Sequence, residues 1–135
     1  MNCRIAALPA FFLIAAILLS GCLGHVTGNS QADGFSREGV ASWYGQDFHG
    51  RETASGEVYD MYAFTAAHAS LPFGTHLRVT NVENGRTVDV RINDRFPGTK
   101  GRAIDLSMAS FEKIAPLHQG LARVRLEILQ QPEPR

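Results

Sequence analysis

The sequence predicts a mainly-β domain, a small closed β-barrel of short strands with one or two short helices. Three observations carry that reading. Several short segments with alternating or β-rich apolar patterns follow one another, joined by Gly-rich polar links. One pair of these segments flanks Asn84-Gly85, the strongest two-residue signal for a hairpin turn. Only one stretch has both a helix cap and a stop: Ser107 can cap a helix running to about Ala115, where Pro116 ends it.

Taken in order, Gly39 to Tyr44 reads as the opening strand. Thr65 to Ser70 has the composition of a helical turn. Thr75 to Asp94 is the hairpin. Folding about Asn84-Gly85 sets Glu83 opposite Arg86, Val79 opposite Val90 and Leu77 opposite Ile92, and gathers Leu77, Val79, Val88, Val90 and Ile92 on one face. The same register sets Arg78 against Arg91, a cost unless a carboxylate lies between them. Arg102 to Leu106 is a further strand, followed by the Ser107 helix. Ala122 to Leu129 alternates cleanly, with Val124, Leu126 and Ile128 inward.

The first 22 residues are of another kind. Arg4 precedes an apolar run from Ile5 to Leu19, then Ser20, Gly21 and Cys22. A charged n-region, an h-region and a small-residue site make an export signal. The run is short of the roughly 20 residues of a membrane span. Leu19-Ser20-Gly21-Cys22 resembles a bacterial lipobox, which implies a lipidated Cys22 as the mature N-terminus. Acyl chains there would anchor the protein to a membrane. Leu23, not aspartate, follows that cysteine; by resemblance to enterobacterial sorting this implies the outer membrane and a periplasmic-facing domain. Cys3 lies within the signal, so the mature domain is expected to hold no disulfide. Residues 23–37 read as a flexible tether, 38–129 as one domain, and 130–135 as a frayed tail. Thirteen basic and thirteen acidic residues balance, with no basic run, which argues against a nucleic-acid partner. The chain is expected to act as a monomer.

Several motifs occur in order within the domain: G-V-A-S-W-Y-G (39–45), H-G-R-E-T-A-S-G-E-V-Y-D-M (49–61), T-A-A-H-A-S-L-P-F-G-T (65–75), R-V-T-N-V-E-N-G-R (78–86), R-I-N-D-R (91–95) and A-I-D-L-S (103–107). Together the domain resembles the rare lipoprotein A (RlpA) family. The resemblance implies a six-stranded double-psi β-barrel, shared with expansins, barwin and related endoglucanases. It also implies an endolytic transglycosylase that cleaves the MurNAc–GlcNAc bond of peptidoglycan and leaves a 1,6-anhydro sugar, in some members with a preference for peptide-free strands. Two departures stand out. Many members carry a C-terminal SPOR domain, and no such segment is expected here. The familiar D-R-G-P-F is Asp94-Arg95-Phe96-Pro97-Gly98 in this chain, an altered loop beside the site.

Glycosidic cleavage needs an acid held protonated near neutral pH. Hydrolases pair two carboxyls, about 5–5.5 Å apart for retention or about 6.5–9.5 Å for inversion. A lytic transglycosylase manages with one, which acts first as acid and then as base on the sugar's C6 hydroxyl. The acids in the matched motifs are Glu57, Asp60, Asp94 and Asp105. By resemblance, Asp105 matches the aspartate that serves as acid in expansin and endoglucanase barrels; the plain alternative is a helix-capping carboxylate. Glu57 and Asp60, three residues apart, can face one side of a turn and contact the sugar, or be solvated loop acids. His68 can hydrogen-bond one of them and fix its orientation, or be a satisfied core residue. These four, Asp105, Asp60, Glu57 and His68, form the candidate catalytic set. Asp94 can pair with Arg95 or Arg91 and hold the polar edge, and with Arg95 belongs to the candidate substrate-binding set. Trp43, Tyr44 and Phe48 suggest a sugar-stacking surface. As neighbours on a strand, Trp43 and Tyr44 are expected to divide, one buried and one facing the groove. The spacing of Glu57, Asp60 and His68 matches no compact metal pattern such as H-E-x-x-H, so no metal and no cofactor are expected. A glycan-binding or wall-loosening module of the expansin and barwin type is the alternative reading, and a purely structural lipoprotein a third.

Overall fold

Alternation sets the strands. In β3 (His76–Asn81) and β4 (Thr87–Asp94), Leu77, Val79, Val88, Val90 and Ile92 are buried while Arg78, Thr87 and Asp89 are exposed. The same period buries Val124 and Leu126 in β6 (Ala122–Gln130) and Ile104 and Leu106 in β5 (Arg102–Ser107). A computed structural model describes residues 36–99 and 101–133. The expected export signal, Cys22 and all but the last two positions of the expected tether lie outside the described residues. β1 (Ser36–Tyr44) begins two residues inside the expected tether.

The strands close into a six-membered barrel in the order β1-β5-β2-β4-β3-β6, where β2 is Thr65–Ala67. β1 with β5 and β2 with β4 are parallel pairs; the other neighbours are antiparallel. The inward faces form one core, closed at one end by Phe111 and Ile114 of α1 (Met108–Ile114). Ser107 caps α1 by accepting from the Ser110 N–H at 3.2 Å. Short 3-10 turns at Gln46–Phe48 and Leu117–Gln119 complete the described elements.

Two expectations are corrected. Residues 65–67 form a strand, not a helical turn. Ala66 and Ala67 lie between β4 and β5 and pair with both, and the fully buried Thr-Ala-Ala is small enough to sit there. Tertiary pairing overrides the weak helical preference of alanine. The hairpin register also differs by two. Leu77 lies opposite Val90 and Val79 opposite Val88, because the turn spans four residues: the Gly85 N–H donates to the Asn81 carbonyl at 2.8 Å and the Asn81 N–H to the Arg86 carbonyl at 2.8 Å. A slip of two keeps the apolar face. It also removes the clash, since Arg78 now faces Asp89 and binds it through two hydrogen bonds of 2.8 and 2.9 Å.

Close packing of β1 on β5 depends on Gly39. A Cβ there would lie 2.5 Å from the Ala103 Cβ. Gly39→Ala is expected to destabilise the domain by about 1–3 kcal/mol, read as a lower urea midpoint with unchanged slope.

Candidate functional site

The site is built from residues that face away from the core. On β1, Ser42 and Tyr44 alternate with Ala41 and Trp43; Trp43 packs on the core beside Phe111, and its indole N–H donates to the Leu117 carbonyl at 3.2 Å. Ser42 pairs with Asp105 of β5, Asp105 with Ala67 of β2, and Ala67 with Asp94 of β4. One row thus crosses four strands. The register shifts by one between Ala66 and Ala67, so Asp94 rather than Asn93 stands beside Ala67. With strands about 4.8 Å apart, the Cα atoms of Asp94 and Asp105 are roughly 9.5 Å apart. Ala67 is the one residue between them in the row, and the Tyr44 hydroxyl lies close enough to feel both charges.

The irregular segment 45–64 folds over this row as a wall. It is pinned to β4 by hydrogen bonds from the Ala54 N–H to the Asp94 carboxylate (2.9 Å) and from the Ser55 N–H to the Asn93 carbonyl (3.3 Å). The Tyr59 hydroxyl donates to the Tyr44 carbonyl at 2.5 Å, and the two rings stack with centroids 4.3 Å apart. Phe48, about half exposed, meets Tyr44 edge-on.

The carboxyls differ in environment. Asp105 is half-buried and accepts from the Ser42 hydroxyl at 2.7 Å. Burial raises its pKa above the usual carboxylate range, Ser42 and Arg102 oppose that, and the charge of Asp94 adds to it. Glu57 is exposed and held on two oxygens by Arg91 (2.7 and 2.9 Å), with Asn93 at 3.1 Å; these hydrogen bonds hold its pKa below the usual value. Asp60 is exposed, accepts from the Tyr62 N–H at 2.9 Å and lies 3.9 Å from His49. Glu57 and Asp60 therefore have separate partners.

Asp94 bonds main-chain groups, the Ala54 and Arg95 N–H, rather than the guanidinium of Arg95 or Arg91 as expected. Arg91 is taken by Glu57. The Arg95 guanidinium donates to the His68 and Leu71 carbonyls and sits 3.9 Å over the Phe73 ring. The Tyr44 hydroxyl is buried with no hydrogen-bond partner. Its pKa is pushed far above the ordinary phenol value, by burial first and then by Asp94, Tyr59 and Asp105, and that of Tyr59 is pushed up to about 12.

His68 is also placed differently from expectation. It is buried and bonds neither Glu57 nor Asp60; its Nδ1 accepts from the Ser70 and Leu71 N–H groups at 3.2 and 3.0 Å. Two donors on Nδ1 require the neutral tautomer with the proton on Nε2. Burial, with Arg37 and Arg95 nearby, lowers its pKa. The unfolded chain therefore takes up this proton first as pH falls below about 6.5, and stability drops from there until the folded state is protonated as well. Melting curves at pH 7.5 and 5.5 should show that drop, bounded at about 1.4 kcal/mol per pH unit, and His68→Gln should remove it.

Sequence reasoning missed Ser42, Tyr59 and Asn93, and it named Arg91 with the wrong partner. Ser42 was open to discovery: it precedes Tyr44 by two on a strand and so shares its face. Among the described residues, no group of three or more His, Cys, Asp or Glu is arranged to hold a metal ion. No helix among them is long and apolar enough to cross a membrane.

A family model described as lytic transglycolase matches residues 36–126. Endolytic peptidoglycan transglycosylase RlpA of Vibrio cholerae is 50% identical over 101 residues, 75% of this chain and 38% of that protein. Its counterpart in Neisseria meningitidis serogroup A is also 50% identical over 101 residues, covering 75% and 42%. The protein of Synechocystis described as a probable endolytic peptidoglycan transglycosylase RlpA is 54% identical over 92 residues, covering 68% and 29%. The chain thus spans less than half the length of these relatives. Among solved structures, Streptomyces papain inhibitor superposes with a TM-score of 0.56 at 25% identity, over 70% of this chain and 94% of that one. A Clavibacter michiganensis expansin variant in complex with cellohexaose gives 0.57 at 20% identity, over 74% and 53%, a likeness of fold: the double-psi barrel.

Proposed function

The chain belongs to the RlpA-like lytic transglycolase family, and on that premise we propose that it is an endolytic peptidoglycan transglycosylase with Asp105 as its acid and base. One observation carries the assignment: Asp105 is half-buried, burial raises its pKa, and it stands in a row with Asp94 beneath an aromatic wall. In the proposed reaction, protonated Asp105 gives its proton to the GlcNAc oxygen as the bond from MurNAc C1 breaks. The Asp105 carboxylate then takes the proton of the C6 hydroxyl as O6 bonds to C1. The acid is regenerated, the 1,6-anhydro ring closes, and no water enters. Asp94, across Ala67, faces the positive charge that develops at C1.

Glu57, fixed by Arg91 and Asn93, serves as a charged hydrogen-bond acceptor on the wall rather than as a proton donor. His68 acts at one remove. Its main-chain N–H donates to the Asp94 carbonyl at 3.2 Å while its ring orders the Ser70–Leu71 turn, and through that backbone it positions Asp94. Tyr44 and Phe48 supply the ring faces that a pyranose packs against. Cys22 carries the lipid, and the domain works on the periplasmic side of the outer membrane; the acylated mass of the mature protein tests this anchor.

The test of activity is mass spectrometry of products from intact and peptide-stripped peptidoglycan. Strands ending in 1,6-anhydroMurNAc are expected. Reducing ends would replace the proposal by hydrolysis through two carboxyls. Retention on the sacculus without soluble product would replace it by a binding module.

A further inference from the structure

A second concave region lies beyond the wall. A cleft of about 350 Å³ is lined by Tyr62, Phe64, Arg86, Ala109, Glu112 and Lys113. Two features set it apart from ordinary surface. Tyr62 and Phe64 are large rings left 63% and 46% exposed, and both line the cleft. Arg86 and Lys113 face the same space, and neither has a carboxylate within ion-pair distance among the described residues, although Glu112 also lines it. The Lys113 ammonium lies 5.8 Å from the Phe64 ring centroid.

The cleft is held open by specific bonds. The hairpin tip carrying Arg86 is pinned to the end of α1, where the side-chain amides of Asn81 and Asn84 both donate to the Ile114 carbonyl, at 3.0 and 2.9 Å. The rim carrying Tyr62 is pinned to the start of α1 by the Ala109 N–H on the Met61 carbonyl, at 3.0 Å, and to the Ser107 hydroxyl through the Ala63 carbonyl, at 2.6 Å. An adjoining cavity of about 350 Å³ shares Phe64 and Lys113, but its charged pair, Arg78 and Asp89, is self-neutralised. Lys113 borders both cavities, whereas Arg86, the second cation without an ion-pair partner among the described residues, lines the first alone.

We propose that this cleft is a second glycan subsite, which takes an N-acetylated sugar bearing a carboxylate: Tyr62 and Phe64 pack against the sugar, and Arg86 and Lys113 bind the acid. The proposal rests on the peptidoglycan reading above and extends it. Ala109 on the cleft wall is four residues from Asp105, so that wall starts within about 14 Å of the proposed acid, a span that a short glycan bridges. The carboxylate has two sources on a wall strand, the lactyl group of the muramic sugar itself or the acids of its attached peptide.

The test measures binding by calorimetry on the full chain carrying Asp105→Asn to stop turnover. Three probes of equal glycan length are used: peptide-free strands of alternating N-acetylglucosamine and N-acetylmuramic acid, the same strands with peptides, and neutral chitooligosaccharide. At low salt at least one acidic strand should bind about tenfold more tightly than the neutral one, with the advantage fading as salt rises. The double variant Arg86→Met with Lys113→Met should bring the acidic strands to the neutral level, and Tyr62→Ala should weaken all three. Preference confined to peptide-free strands assigns the lactyl carboxylate, and preference confined to peptide-bearing strands assigns the peptide acids. Equal binding of acidic and neutral glycans by the parent overturns the proposal. So does a preference that survives the double variant, or loss of the neutral glycan in it. Cleavage by the wild-type chain is read separately. If it yields no 1,6-anhydro product while the preference is present and lost in the double variant, the transglycosylase reading fails and the subsite stands.

Discussion

Asp105→Asn is expected to abolish strand cleavage and to spare glycan binding. Asparagine matches the shape of aspartate and can still accept the Ser42 hydroxyl hydrogen bond, now 2.7 Å long, so the barrel should melt normally. What it cannot do is release a proton to the leaving oxygen and take one back from the C6 hydroxyl. Loss of a positioned acid costs about 10²–10⁴ in rate. Turnover measured as anhydro ends per minute should fall by that factor, with retention on the sacculus unchanged. Asp60→Asn is the contrast. Asp60 is exposed and bonds the Tyr62 N–H, a bond that asparagine keeps, so most activity should survive. Equal losses in the two variants would remove Asp105 from its assigned role.

Asp94→Asn should both slow the reaction and move its pH profile. The asparagine oxygen can keep the hydrogen bonds from the Ala54 and Arg95 N–H groups, at 2.9 and 2.8 Å, so the wall stays docked while one negative charge is lost. That charge is among the causes raising the Asp105 pKa. Without it the Asp105 pKa falls, and since the active form is the protonated one, the upper limb of the rate profile moves to lower pH. Loss of electrostatic support for the developing cation adds a drop of about 10²–10³. A rate loss with an unmoved limb would mean that Asp94 does not face Asp105.

Strands with a strict period were legible in the residues: Val88, Val90 and Ile92, or Val124 and Leu126, announce their face directly. The register of the hairpin was not, because Asn-Gly marks where the chain turns but not how many residues the turn contains. The opposed Arg78 and Arg91 were the warning, and Asp89 resolves it. β2 was illegible for a different reason. Ala66 and Ala67 are poor strand formers, and the segment is a strand because β4 and β5 leave room for small residues between them. The alignment of Asp94 with Asp105 across Ala67 depends on that strand and on a one-residue register shift, so motif reading named both acids without relating them. His68 was named too, but the direction of its ring is set by main-chain N–H groups that no motif displays.

The order of the barrel has a consequence for how the chain acquires its shape. β1 pairs only with β5 and β6, and the Ser42–Asp105 hydrogen bond joins groups 63 positions apart. The first strand has no early partner, and the proposed acid is held in place only when both ends of the domain have met. Such topology means high contact order, with much loop-closure entropy spent before contacts repay it, and folding on the slow side, milliseconds to seconds, rather than microseconds. The β3–β4 hairpin is the one long local pairing, and it is the natural place for structure to begin.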